Sequence, residues 1–376
     1  MPALSTAFTA LAALAVAMGI GRFAFTPIMP MMQEDAGLSV ADGGWLASAN
    51  YAGYLLGALT AISMRARPVI VIRASLLAIG LATLAMGLQR HLALWIALRT
   101  VAGIASAWVL VFVSTWALER LAQLGRSDMS GAVYAGVGAG IAAAGAGCLL
   151  LMNVHSTSND AWIYLGLASL VVTAAIWPFL RESSPRQATE AAPPAGRGRE
   201  FWRLVLCYGG FGFGYIIPAT FLPAMAKSVV LDPSLFGWAW PVFGAAALAS
   251  TLFVPRLKRF MTVRAVWICG CLVMALGVVV PMIVPGLAGI MAAAVCVGGT
   301  FMVVTMAGME EARRVAGPQA RALMAAMTSA FAFGQIAGPL SVGLLAGPKG
   351  GYAQALIVAA AALAVSALSL MQGKRG

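Results

Sequence analysis

The chain has 376 residues, 61% of them hydrophobic and 10% charged, with a mean hydropathy of +0.91. Soluble domains carry about 25% charged and 45–50% apolar residues, and one or two cores cannot hide this much apolar surface. Disorder is excluded by the same numbers. The net charge of +12 raises nucleic acid as a partner, but the polar surface such binding needs is missing. The composition is that of an integral membrane protein.

A transmembrane helix takes about 20 apolar residues and its connection brings the repeat to about 30, so the length predicts about twelve spans. Apolar runs place them at 5–33, 42–64, 68–88, 92–118, 128–154, 160–180, 201–226, 234–255, 262–284, 286–311, 320–345 and 351–371. The first run contains Ala15-Val16-Ala17, which resembles a signal cleavage site, but no basic residue precedes it and the run continues past it. It is read as an uncleaved span. The polar, Pro-rich stretch RESSPRQATEAAPPAGRGRE (181–200) is the one obvious linker. It separates a six-helix half, 1–180, from a second, 201–376.

Lys and Arg counted by side fix the expected orientation. Nineteen fall at the ends that share a side with both termini, three (Arg90, Lys227, Lys349) on the opposite side, and two, Arg22 and Arg99, inside spans. Both termini are expected in the cytoplasm, with the basic face against anionic lipid. The five cysteines lie in apolar stretches without metal-ligand spacing and read as packing residues.

A shift of 193 residues lays the start of the second half on the first. Across 19–45 and 212–238, seven of 27 positions are identical: Gly19/Gly212, Gly21/Gly214, Pro30/Pro223, Met32/Met225, Leu38/Leu231, Gly44/Gly237 and Trp45/Trp238. Average composition gives about two. A six-span offset keeps the orientation, so the halves are expected to be parallel, with a binding site at their interface near the midplane.

Twelve spans in two parallel halves, a long central loop and basic 2–3 and 8–9 loops resemble the major facilitator superfamily. The segment GIGRFAFTPIMPMMQ (19–33) resembles its YbfB/YjiJ-type branch. The resemblance implies an all-α membrane protein of the major facilitator fold that works as a secondary transporter in a bacterial inner membrane. One departure is visible. The superfamily's 2–3 loop carries Gly-x-x-x-Asp before its basic residues, whereas GALTAISMRARP (57–68) keeps Arg65 and Arg67 without the Asp. GQIAGPLSVG (334–343) resembles the Gly-Pro motif of exporter span 5 but falls in span 11.

Arg22 and Arg99 are the sharpest chemical signals. A guanidinium at the bilayer centre costs about 2.5–3.5 kcal/mol, so it is paired or faces an aqueous cavity. No span centre contains Asp or Glu. Two central cations without a resident anion point to an anionic ligand held by fork-like hydrogen bonds. The competing expectation is that backbone carbonyls and tyrosines satisfy both.

The 193 shift maps Arg22 onto Tyr215. Tyr208 and Tyr215 share one helical face, Asn50 and Tyr54 another; Ser106 lies on the face of Arg99, and Thr328 with Gln335 on one face of span 11. All are candidates to line the site, although such residues also glue membrane helices together. Pro27, Pro30, Pro218 and Pro223 interrupt backbone hydrogen bonds and are candidate hinges. Trp45 and Trp238 read as interfacial anchors.

GVGAGIAAAG (136–145) has the look of a dinucleotide loop but sits in an apolar span with no preceding strand, and reads as helix packing. His91 and His155 are loop residues too far apart to suggest a metal. No metal or cofactor is expected. The reading is a monomeric secondary transporter that moves a small organic anion, a carboxylate, by alternating access, proton-coupled or by exchange. The alternative is an exporter of amphiphilic drugs or metabolites, suggested by the 20 Met. A membrane enzyme or receptor is the remote alternative.

Overall fold

The structure is a computed structural model that describes residues 2–64, 66–126, 129–182, 198–316, 320–345 and 352–372. Most of the expected linker, together with Arg65 and Lys349, lies outside the described residues.

The described residues are helical. The first span runs Pro2–Asp35 in three pieces: α1 (Pro2–Leu14), a π-helical segment Ala15–Arg22, and α2 (Phe25–Asp35). Then come α3 (Val40–Ser63), α4 (Pro68–Met86), α5 (Leu92–Gln123), α6 (Ser130–Asn153) and α7 (Ser158–Ile176). They are followed by α8 (Arg199–Val229), the short α9 (Pro233–Phe236), α10 (Ala239–Leu257), α11 (Val263–Ile283), α12 (Leu287–Ala316), α13 (Ala320–Leu345) and α14 (Ala353–Met371).

Eleven helical segments among the described residues are long and apolar enough to cross a membrane. The remaining expected span corresponds to α3, which has the length, 24 residues, but carries Ser48, Asn50, Tyr51 and Tyr54, all buried inside the protein. Its polar residues lower its hydropathy because they face protein rather than lipid. Leu81, Leu150, Val171, Leu206, Leu276 and Val365 instead stand exposed on outer helix faces, as lipid contact requires. Trp45 and Trp238 are exposed too.

Local signals set several helix starts. Ser39 and Thr157 open α3 and α7 with reciprocal capping boxes, to Asp42 and Asp160 respectively. Pro68 occupies the first turn of α4, where its missing N–H costs nothing.

Packing follows a recurring pattern. Among the earlier helices α3 and α4 lie on α5, α4 on α7, and α1 on α6. Among the later ones α10 and α11 lie on α12, α11 on α14, and α8 on α13. The two sets meet through α3 with α13, α6 with α10, and α2 with α8.

Small residues make these approaches possible, since helices in lipid associate by close packing. Helix α6 shows it on two faces. A Cβ at Gly136 would stand 2.1 Å from the Leu11 carbonyl oxygen, and one at Gly138 would stand 2.3 Å from the Leu248 amide nitrogen. The GVGAGIAAAG stretch therefore serves helix packing, inside α6.

Gly136→Val is expected to cost about 1–3 kcal/mol by overpacking, read as a lowered thermal unfolding midpoint of the purified protein in detergent. Gly147→Ala is the control: a Cβ there meets nothing within 4 Å, and the midpoint should stay put.

Candidate substrate site

The site grows out of the break in the first span. Pro27 has no N–H to give the Phe23 carbonyl four residues earlier, and that carbonyl accepts from the Thr26 amide at 3.1 Å. Just upstream the Phe23 amide reaches back five residues to Met18 O at 3.0 Å, a π-type turn of the kind that recurs at functional sites. The carbonyls of Gly21 and Arg22 are consequently available to partners outside their own helix.

Those partners come from α3 and α5. Arg99 donates through Nη1 to Gly21 O at 3.2 Å and through Nη2 to Arg22 O at 2.8 Å. Asn50 Nδ2 donates to Gly21 O at 3.2 Å and to Arg99 O at 2.9 Å. Ser106 Oγ donates to Ala17 O at 2.8 Å. Close contact is needed for this, and a Cβ at Gly103 would stand 2.1 Å from Asn50 O. Arg99, Asn50 and Ser106 thus grip backbone in the interior.

Arg22 is held differently, by side chains alone. It is 2% exposed, and its Cζ lies 3.8 Å from the Tyr54 ring centroid and 5.3 Å from those of Tyr51 and Phe23. Such contacts stabilise a buried cation. Arg22 Nη2 donates to Gln335 Oε1, and Gln335 Nε2 donates to the Tyr215 hydroxyl. Its Nε and Nη1 are buried without a hydrogen-bond partner among the described residues. Among the described residues neither arginine has a carboxylate partner.

Tyr215 belongs to a wall of rings. It stacks on Phe301 at 5.7 Å with an interplanar angle of 4°, and on Phe331 at 5.6 Å and 11°. Phe23, beside Arg22, meets Phe301 edge-on at 6.4 Å. Gly212 and Gly334 let α8 and α13 close up, since a Cβ on either would stand about 2.4–2.5 Å from the facing backbone. That approach brings Tyr215 to Gln335.

Of the residues expected from sequence, the structure brings Arg22, Tyr54, Tyr215 and Gln335 together, with Arg99, Asn50 and Ser106 supporting the backbone behind them. Tyr208 is buried farther along α8, edge-on to Trp267 at 5.8 Å, and Thr328 donates to Met324 O in its own helix at 2.8 Å. Neither reaches Arg22. Tyr51, Phe23, Phe301 and Phe331 join the Arg22 group without a sequence signal that marks them as site residues. Tyr51 lies three residues from Tyr54, on the same helical face, and its hydroxyl is 3.0 Å from that of Thr220.

Pro30 and Pro223 lie where α2 and α8 face each other. Pro223 leaves the Ala219 carbonyl without an N–H, and Thr26 Oγ1 donates to it at 3.1 Å. Nearer the ends of these helices Lys227 Nζ binds Glu34 at 2.8 Å and Pro30 O at 3.0 Å. Both contacts join positions 193 residues apart, Thr26 with Ala219 and Glu34 with Lys227.

At the basic end of the later helices, Glu311 receives Arg264 at 2.8 Å and Arg314 at 2.9 Å, and Glu200 receives Arg203 at 2.7 Å. Lys258 pairs with Glu310 at 2.5 Å. Among the described residues no group of three His, Cys, Asp or Glu could hold a metal ion.

A family model described as uncharacterised MFS-type transporter YbfB matches residues 14–371. No curated protein matches the chain in sequence. The nucleoside transporter NupG is similar in fold, with a TM-score of 0.76 at 14% identity, covering 99% of both chains. A bacterial homolog to the human lysosomal transporter Spinster, in an inward-facing and occupied conformation, also has a TM-score of 0.76, at 16% identity, covering 99% of this chain and 97% of that one.

The two arginines separate in a stability measurement. In Arg99→Lys one ammonium cannot span two carbonyls in the fork of a guanidinium, and losing a charge-assisted bond is expected to cost about 1.5–3 kcal/mol. The thermal unfolding midpoint should fall more than in Arg22→Lys, where no backbone partner is lost.

Proposed function

Because the chain belongs to the YbfB-type family of major facilitator transporters, a family of membrane transporters and not of enzymes, we propose that it moves a small organic anion, a carboxylate, by alternating access. The observation that carries this is the buried guanidinium of Arg22, two of whose nitrogens have no hydrogen-bond partner among the described residues and whose Nη2 donates to a neutral carboxamide. A buried cation so left is a receptor for an anion.

In this reading Arg22 neutralises the carboxylate while Tyr215, Gln335 and Tyr54 shape its surroundings. Arg99, Asn50 and Ser106 hold the interrupted first span so that Arg22 points inward. The protein has twelve spans, α3 being the one with the polar face, in two parallel halves, 1–180 and 201–376, joined by the 181–200 linker. The repeated helix pairings and the contacts between positions 193 residues apart support this arrangement.

The halves rock around Arg22 and Gln335, one on each half, with Pro27, Pro30, Pro218 and Pro223 as the flexible points of α2 and α8. The protein works as a monomer in a bacterial inner membrane with both termini cytoplasmic, as the distribution of basic residues supports. With no carboxylate paired to Arg22 among the described residues, coupling comes from a proton accompanying the substrate or from exchange of one anion for another.

Uptake of labelled carboxylates into proteoliposomes tests the reading. Arg22→Ala should cut the rate at limiting substrate by about 10–100-fold, the equivalent of a lost charged hydrogen bond. Unchanged uptake overturns the assignment.

A further inference from the structure

The proposed site contains two guanidiniums, each with a buried Nε that has no partner among the described residues, yet only Arg22 also has a terminal nitrogen open to a ligand. Both terminal nitrogens of Arg99 are committed to the carbonyls of Gly21 and Arg22, and releasing them would strip the Arg22 carbonyl of its side-chain donor. Arg22 makes no such commitment. The site therefore has one guanidinium whose terminal nitrogens are free of backbone bonds, which matches one carboxylate; a second carboxylate on the ligand would find no second fork of donors.

What lies beside that cation is flat and apolar. Tyr215 and Phe301 are parallel to within 4°, Tyr215 and Phe331 to within 11°, and all three stand on later helices, α8, α12 and α13. Arg22, Phe23, Tyr51 and Tyr54 stand on earlier ones. When the two sets of helices part, a guanidinium framed by rings on one side faces a wall of parallel rings on the other. A planar ring entering that gap extends the stack in the offset geometry aromatic pairs favour, with its carboxylate on Arg22.

Gln335 fits the same picture from the inside. Its carboxamide has the planar shape of a carboxylate, accepts from Arg22 through Oε1, and meets the Tyr215 hydroxyl through Nε2. It occupies the place of the missing anion without its charge.

We propose that the substrate is an aromatic monocarboxylate, whose carboxylate displaces the Gln335 carboxamide from Arg22 and whose ring stacks on the Tyr215–Phe301–Phe331 wall. This deepens the anion reading and rests on it.

The test is a thermal-shift titration of the purified full-length protein with benzoate, phenylacetate, hexanoate, succinate and citrate, repeated in Arg22→Gln and Phe301→Leu. Benzoate or phenylacetate is expected to bind at least 10-fold more tightly than succinate or citrate. Phe301→Leu keeps an apolar side chain but loses the ring; it should weaken the aromatic ligands about 3–10-fold and leave hexanoate unchanged. Arg22→Gln should remove all of the stabilisation. Succinate or citrate binding as tightly as benzoate, or a Phe301→Leu variant that weakens hexanoate equally, overturns the aromatic monocarboxylate while leaving Arg22 as an anion site. Ligand effects that survive Arg22→Gln, or no response to any carboxylate, overturn the anion reading itself.

Discussion

A helix that breaks inside a membrane leaves carbonyls with no water to turn to, so some other part of the protein must supply donors. Here the donors are the two terminal nitrogens of Arg99 and the amide of Asn50, aimed at the carbonyls of Gly21 and Arg22. Much of the centre depends on that grip. It fixes the point where the π-helical segment ends, and hence the direction in which Arg22 leaves the backbone. It also draws α3 and α5 against the first span, which is why Gly103 has no room for a Cβ. A costly buried charge has become an economical device, since one planar fork satisfies two adjacent acceptors.

The contacts between positions 193 residues apart explain how much of the repeat is visible. In a two-half arrangement, residues near the axis meet their own counterparts, and identical side chains there would repel or fail to complement each other. Glu34 meets Lys227, and the Thr26 hydroxyl meets the carbonyl of Ala219. Both pairs work because the members differ. The identities that survive are Gly, Pro, Met, Leu and Trp, residues that shape or anchor helices. Divergence at Arg22 and Tyr215 belongs with the contacts: two arginines there would face one another across the centre.

Eleven of the expected spans, the burial of the two arginines and the small-residue packing of α6 are legible because they rest on local rules of hydropathy, charge and spacing. The division of labour between Arg22 and Arg99 is not. In sequence each is a guanidinium in an apolar run, and what separates them is whether free carbonyls lie within reach. That depends on a break at Phe23 and on helices about 30 and 80 residues distant. The ring wall was hidden for another reason. Phe331 packs on Tyr215, whereas Phe333, two residues along the same helix, is exposed; in a membrane protein both environments are apolar, so composition does not tell a lipid-facing ring from one packed in the interior. The low hydropathy of α3 is the opposite case, a weak span signal caused by the buried polar residues Ser48, Asn50, Tyr51 and Tyr54 that face the other helices.

The neutrality of Gln335 bears on coupling. In the proposed reading the empty protein carries Arg22 uncompensated through the low-dielectric interior, and the charge is cancelled only when an anion is bound. Loading therefore lowers the electrostatic cost of closing the two sets of helices over the site, while an empty return keeps it. A carrier whose loaded form moves more easily than its empty form favours exchange, because each half-cycle then travels with an anion on Arg22. A resident carboxylate in place of Gln335 would reverse this order, pairing with Arg22 in the empty state and repelling the substrate. A carboxamide has the shape to keep the site closed and lacks the charge to compete with the substrate for it.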